Sequence, residues 1–322
     1  MKAIQVQRFG GPEVMELRDI PTPSPGPGQA LVRQSAIGVN FIDIYRRTGL
    51  YQVQLPLIPG MEGAGTVEAV GADVKSPRPG DRVAYANLPG AYAELALIPA
   101  DRTVTLPGRI TFEQAAAAML QGMTAHYLVF DTCPLQKGDV VIVHAAAGGV
   151  GLLLVQTARI RGATVIATVS TVEKADLARN AGAHEIIMYT EKDFVAEVKR
   201  LTGGKGVRAV FDSVGKDTFM KSLDCLSPRG MLVSYGQSSG KVEGFEPLIL
   251  SAKGSLYLTR PLLGHYVADT ESLRRRASTV LGWVAGGKLK VRIGAKFPLA
   301  DAAEAHRQLE ARKTTGKVLL IP

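Results

Sequence analysis

Apolar and polar positions alternate in two different ways along this chain. From residue 140 onward, short β-branched runs begin at Val140 (VVIVH), Ala163 (ATVIATV), Glu185 (EIIMY), Val207 (VRAVF), Gly230 (GMLVSY) and Gly254 (GSLYL), at nearly even intervals. Between them lie stretches with helical periodicity: LLLVQTARIRG, TVEKADLARNAG, KDFVAEVKRLTGG, KDTFMKSLDCL and FEPLILSA. Six strands alternating with helices predict an α/β fold with a doubly wound parallel sheet and right-handed crossovers, a complete Rossmann domain.

Upstream, residues 1–106 carry short alternating or apolar runs, KAIQVQ, ALVRQSAIGVN, GAGTVEAVG, DRVAYA and AYAELALI. Pro/Gly punctuation such as PTPSPGPGQ and SPRPGD separates them, which predicts a β-rich domain with tight turns. Pro21, Pro23, Pro25 and Pro27 suit an extended surface connection better than a Pro-rich partner motif. Residues 111–130 read as helix, opened by a capping box of Thr111 and Gln114. Beyond residue 258 come TRPLLGHY, helices near 271–285 and 300–312, and a last strand KVLLI. That tail is too long merely to cap the sheet and is expected to return to the N-terminal domain. The expected boundaries are 1–124, 125–262 and 263–322, with the first and last segments forming one domain.

A chain of 322 residues with 46% hydrophobic and 21% charged positions can bury two cores and is not disordered. Its net charge of +9 favours an anionic partner such as a phosphorylated cofactor. The basic residues are scattered; the one block, Arg274 to Arg276, reads as a solvated helix face, which argues against nucleic acid. The N-terminus has no long apolar segment and no run approaches membrane-spanning length, so a cytoplasmic location without membrane contact is expected. Cys133 and Cys225 have no partners at metal spacing and suit a reducing compartment.

The segment KGDVVIVHAAAGGVG joins the first Rossmann strand to its helix through small residues. Ala146, Gly148 and Gly151 stand where the dinucleotide fingerprint GxGxxG has its glycines. Gly148 permits backbone approach to a pyrophosphate, Gly151 permits close helix packing, and the helix N-terminus offers N–H donors. NAD binders place an acidic residue about 20 residues further on, to hold the ribose hydroxyls. Here that stretch reads ATVSTVEK, with Val169 and Ser170 in the acid's place. Ser170, Thr171 and the Lys174 ammonium can instead receive a 2′-phosphate, and Tyr189 can add its hydroxyl. Taken alone, Lys174 is an ordinary solvated helix residue.

The Pro/Gly-rich β domain, AAAGGVG, DSVG, GVNFIDIYRRTGLY at 38–51, GSLYLTRP and the ending GKVLLIP together resemble the zinc-free quinone oxidoreductases, the ζ-crystallin-like branch of the medium-chain dehydrogenase/reductase superfamily. The resemblance spans essentially the whole chain. It implies a GroES-like catalytic domain formed by both ends of the chain, an inserted Rossmann domain, an active site in the cleft, NADPH as cofactor and a homodimer. It further implies that NADPH is contacted at Phe41, Ile42, Asp43, Ile44 and Tyr45, at Tyr127, and at the turn Gly148, Gly149 and Val150. By the same resemblance Ser170, Thr171, Lys174 and Tyr189 hold the phosphate. Val214, Gly236, Gln237, Ser238, Ser239, Pro261, Leu262, Leu263 and Arg312 complete the cofactor site. For Val214 and Leu262, ordinary packing is an equal alternative.

Zinc-dependent relatives use a Cys and a His as catalytic ligands; the corresponding patterns here are GVNFID and PGMEGAG, with Asn40 and Met61 in those places. An amide and a thioether do not replace thiolate and imidazole, so no metal is expected. Glu62 then reads as structural, and His144, at the end of a buried strand, as a hydrogen-bonded core residue. The five histidines are scattered and no nucleophile motif occurs. Without metal or a strong acid/base pair, catalysis must rest on placing the nicotinamide against an electrophilic acceptor. A quinone meets that demand, because its hydroquinone anion is protonated without a dedicated acid. Asn40, Tyr45, Tyr51 and Thr124 are the candidates for holding the nicotinamide amide or the acceptor carbonyl. One- and two-electron transfer both remain open, as do an enone or 2-alkenal reductase and a non-catalytic NADPH- or RNA-binding role.

Overall fold

The computed structural model describes residues 1–322. The chain folds as two units, residues 1–123 with 266–322, and residues 124–265.

The first unit is built on β1 (Lys2–Val6), β2 (Met15–Asp19), β3 (Gln29–Val39), α1 (Phe41–Arg47), β4 (Glu62–Val70), β5 (Arg82–Ala86), β6 (Leu95–Pro99), β7 (Val104–Thr105) and most of α2 (Phe112–Tyr127). Gln114 N–H donates to Thr111 Oγ1 at 3.1 Å and Thr111 N–H to Gln114 Oε1 at 3.0 Å, the reciprocal cap expected of α2. α2 ends at Tyr127 and passes into a π-helical turn, Leu128–Thr132, where the sequence reading continues an α-helix to 130.

The second unit alternates β8 (Val140–Val143), α3 (Gly149–Ile160), β9 (Thr164–Val169), α4 (Val172–Asn180), β10 (Glu185–Met188), α5 (Phe194–Leu201), β11 (Val207–Asp212), α6 (Phe219–Leu223), β12 (Leu226–Ser234), α7 (Leu248–Ala252) and β13 (Tyr257–Thr259). All six strands pair in parallel, in the order β10-β9-β8-β11-β12-β13. Helices cover both faces of such a sheet, which is why its strands read as unbroken apolar runs. Ile142, Ile166, Val210 and Leu232 sit in its core.

After α8 (Leu263–Tyr266) the chain re-enters the first unit as α9 (Thr270–Ala285), β14 (Ile293–Pro298), α10 (Ala302–Glu310) and β15 (Lys317–Ile321). The main sheet there runs β14-β15-β3-β4-β5-β7, with β6 also paired to β3. β15 lies antiparallel to β3, Leu319 opposite Gly38, so the tail does return to the N-terminal portion. β14 is absent from the sequence reading: its alternation of half-buried and exposed positions belongs to an edge strand and carries no continuous apolar run. β15 is covered on both faces, so Lys317 at its start is 1% exposed.

Candidate active site

Asn40 follows directly on β3 and stands at the N-cap of α1. Within this short helix Asp43 and Arg47 are four residues apart and share one face, while Phe41 and Tyr45 share the opposite one. Phe41 and Tyr45 have ring centroids 6.1 Å apart. Tyr51, which follows the turn after α1, packs its ring 5.3 Å from that of Tyr45 and donates its N–H to the Tyr45 carbonyl. The structure thus brings Tyr45 and Tyr51 together. Thr124 belongs to the second unit, on α2, and is buried.

Behind α1 lies a buried polar cluster. Glu62 and Lys317 form a fully buried ion pair through Glu62 Oε1. Lys317 Nζ also donates to Asn40 Oδ1 at 2.8 Å, and Asn40 Nδ2 donates to Glu62 Oε1 at 2.7 Å. Gln121 Nε2 reaches Asn40 Oδ1 at 3.3 Å, and the Leu120 N–H donates to Glu62 Oε2 at 2.7 Å. Gly38 on β3 makes room for this carboxylate, since a Cβ there would strike it. Asn40, a candidate for holding the nicotinamide amide or the acceptor carbonyl, has both ends of its amide bonded inside the protein.

The residues in the zinc position do not fit the metal. They are an amide, a buried thioether at Met61 and a carboxylate already neutralised by an ammonium, and no three His, Cys, Asp or Glu side chains gather as a metal-holding group.

A second buried set extends from Asp43. Its Oδ2 accepts from the Asn40 N–H at 2.8 Å and from the Tyr92 hydroxyl at 3.1 Å, while Oδ1 has no protein partner. Burial pushes the Asp43 carboxyl up to about 7, against the lowering effects of the Asn40 N–H and of Lys317. Asp43, expected among the cofactor contacts, is wholly buried, with its carboxyl turned into this set. Tyr92 continues to His306 and Arg47, and Arg47 pairs with Glu310 at 2.7 Å. Burial, assisted by the Arg47 charge, holds His306 down at about 3.

In the second unit the nucleotide-binding features line the carboxyl ends of the strands. Gly148 is the N-cap of α3, whose first turn carries no acidic residue and whose opening N–H groups lack intrahelical acceptors. A Cβ on Gly151 would run into the Ala145 carbonyl oxygen, so the close strand–helix approach requires glycine there. The left-handed residue of this turn is Ala145, φ 50°. Ser170 follows β9; its hydroxyl accepts from Lys174 Nζ at 3.3 Å. Thr171 caps α4, its hydroxyl accepting from the Lys174 N–H at 3.3 Å. Tyr189 follows β10 and is 43% exposed. The Ser170 and Thr171 hydroxyls and the Lys174 ammonium, with Ser170 and not an acid directly after β9, fit a ribose 2′-phosphate, although the Glu173 carboxyl in the first turn of α4 bonds to Thr171; the α3 N-terminus fits a pyrophosphate.

The loops after β11 and β12 are tied together: Ser239 Oγ donates to the Val214 carbonyl at 2.7 Å and accepts from the Asp217 N–H at 3.0 Å. A Cβ on Gly236 would lie 2.6 Å from the Ser213 oxygen, so glycine allows that tie. Gln237 and Ser238 lie in the same loop, and Ser238 donates its N–H to the Ser213 carbonyl at 3.1 Å. Leu262, between Pro261 and the buried Leu263, is 43% exposed. Tyr127 is buried, and Arg312 stands in the left-handed region, φ 58°, just after α10. His144 is the core residue its position implies, bonded to Thr168 at 2.8 Å and Ser222 at 3.0 Å, with burial lowering its proton affinity.

Residues 26–108 match the alcohol dehydrogenase GroES-like domain family, and residues 149–279 the zinc-binding dehydrogenase family. Over 323 aligned positions, covering 100% of this chain and 99% of the relative, it is 50% identical to a quinone oxidoreductase of Pseudomonas aeruginosa. The chain belongs to the quinone oxidoreductase family. A crystal structure of the Escherichia coli quinone oxidoreductase complexed with NADPH superposes with a TM-score of 0.98 at 46% identity, covering 100% of both chains. The family also reaches a 2-haloacrylate reductase of Burkholderia, 42% identical over 99% of this chain and 98% of that protein. The amide, thioether and ion-paired carboxylate at that place do not match the zinc in the second family's description; Lys317 holds the buried positive charge there.

Local sequence reading misses Lys317, Arg47, Tyr92, Gln121 and His306. The only local signals are a lysine opening an otherwise apolar strand and a histidine on the apolar side of α10.

Proposed function

We propose that this protein is an NADPH-dependent quinone reductase that works without a metal ion. The observation that carries the reading is the 50% identity, across the whole chain, to a protein known as quinone oxidoreductase. Bound NADPH supplies a hydride, so that NADPH, a quinone and one proton give NADP⁺ and a hydroquinone. The chain contributes binding and orientation. The α3 N-terminus takes the pyrophosphate, and Ser170, Lys174 and Tyr189 take the 2′-phosphate. Tyr45 and Tyr51 offer hydroxyls to the acceptor carbonyl, where a donor stabilises negative charge as it develops. Purified protein is expected to oxidise NADPH with simple quinones, and NADH at least about tenfold less efficiently. Absence of turnover with every quinone tried refutes the reading.

The relation to a 2-haloacrylate reductase favours one other acceptor class, conjugated alkenes, whose reduction must also protonate a carbon. A panel of quinones and α,β-unsaturated acids and carbonyls, compared by kcat/KM, separates the two. We further propose a homodimer formed at β13, the sheet edge in the second unit, where Tyr257 is 56% exposed. Sedimentation at a monomer mass would exclude it. A cytoplasmic site belongs to the same reading, since both cysteines are free and buried; no helix is long and apolar enough to cross a membrane.

A further inference from the structure

The buried face of α1 is held by a closed ring of hydrogen bonds whose direction follows from chemistry. A guanidinium donates only, so Arg47 Nη1, 3.0 Å from His306 Nδ1, makes that nitrogen the acceptor. The ring proton of neutral His306 then sits on Nε2 and is donated to the Tyr92 oxygen at 2.9 Å. The single proton of Tyr92 is left for Asp43 Oδ2, 3.1 Å away. Asp43 and Arg47 lie one turn apart on α1, so the path from Asp43 through Tyr92 and His306 back to Arg47 spans the helix from outside.

The remaining bonds anchor both ends of α1. Asp43 also holds the Asn40 N–H, which fixes the start of the helix. Arg47 donates Nε to the Gly10 carbonyl at 3.1 Å and pairs with both oxygens of Glu310, which fixes its end. A seven-residue helix is too short to hold itself in water, so this ring supplies order that its backbone alone does not. Its opposite face carries Phe41 and Tyr45, with Tyr51 packed on Tyr45.

We propose that Tyr92 and His306 are positioning residues for quinone reduction: acting through Asp43 and Arg47, they set the rotation of α1 and with it the placement of Tyr45 and Tyr51. They need touch neither NADPH nor acceptor. The inference rests on the quinone-reducing role given above to Tyr45 and Tyr51.

Tyr92→Phe removes one hydroxyl and keeps the ring, breaking the path at its middle. Hydrogen–deuterium exchange of residues 40–51 is expected to accelerate while exchange of the Rossmann strands stays unchanged. Steady-state assays are expected to show a fall of about tenfold or more in kcat/KM for quinone, as for misplacement of an orienting group, with a smaller rise in the NADPH dissociation constant, because the phosphate-binding residues belong to the second unit. His306→Gln, which keeps one acceptor and one donor, is expected to retain more quinone activity than His306→Leu. Unchanged exchange of residues 40–51 in folded Tyr92→Phe overturns the proposal, as does faster exchange with wild-type quinone kinetics. Equal loss in His306→Gln and His306→Leu also counts against it. A wild-type enzyme without quinone turnover, combined with faster exchange in Tyr92→Phe, refutes the function proposed above yet supports the positioning of α1.

Discussion

Lys317→Met tests the buried cluster most directly. Lys317 and Glu62 side chains are 1% and 0% exposed, so the methionine leaves a carboxylate in the interior with its Asn40 and Leu120 donors but no counter-charge. Breaking one side of such a pair costs about 3–5 kcal/mol, most of it the penalty of the charge left behind. Glu62→Gln strands the ammonium in the same way and is expected to cost a similar amount. The double variant leaves neither charge, so its cost is expected to be no greater than that of either single one, a coupling of about 3 kcal/mol or more. Trp283 is the only tryptophan and lies on α9 in the same unit, so its fluorescence reports unfolding of that unit. At about 2–4 °C per kcal/mol for a unit of this size, each single variant is expected to unfold roughly 6–20 °C below wild type. A single variant within about 1 kcal/mol of wild type, or costs that simply add in the double variant, would mean that Lys317 and Glu62 do not stabilise each other as a buried pair.

The same unit carries two opposed pH dependences. Asp43 has its folded pKa raised to about 7, so the stability it contributes is present below its unfolded value and is lost as pH rises through about 7. It is faced by Tyr92 and the Asn40 N–H, and by the charges of Lys317, Glu62 and Arg46. Asp43→Asn is therefore expected to gain stability relative to wild type between pH 5 and 8, by up to roughly 2.5 kcal/mol, the two units from pH 5 to the folded pKa of about 7; urea denaturation at the two pH values checks this. His306 has its folded pKa depressed to about 3, so its contribution is present above the unfolded value of 6.5 and is lost as pH falls toward 3. His306→Gln is expected to flatten the acid side of the stability curve, and parallel acid titrations of both proteins by Trp283 fluorescence would show whether it does. Ser170→Asp sets a carboxylate against the 2′-phosphate and is expected to raise the KM for NADPH about tenfold or more while leaving NADH little changed; equal effects on the two cofactors in initial-rate assays would remove Ser170 from the phosphate site.

The Rossmann sheet was legible because parallel strands buried on both faces write themselves as apolar runs; each of the six runs overlaps a strand, the last, at the exposed edge, only at Tyr257 and Leu258. The Thr111–Gln114 cap, the Gly151 approach and the acid missing after β9 are equally local: each depends on residues within one turn or one strand–helix unit. The missing zinc ligands were likewise visible as residue types at Asn40 and Met61. Only the tertiary structure decided what replaces them. Arg47 meets His306, and Asn40 meets Lys317, because β15 inserts between β14 and β3 and carries the end of the chain against its beginning. A lysine opening a strand and a histidine on an amphipathic helix are locally indistinguishable from solvated residues. Their burial follows from which strands become neighbours, a choice made by the whole sheet and not by the residues beside them in the chain.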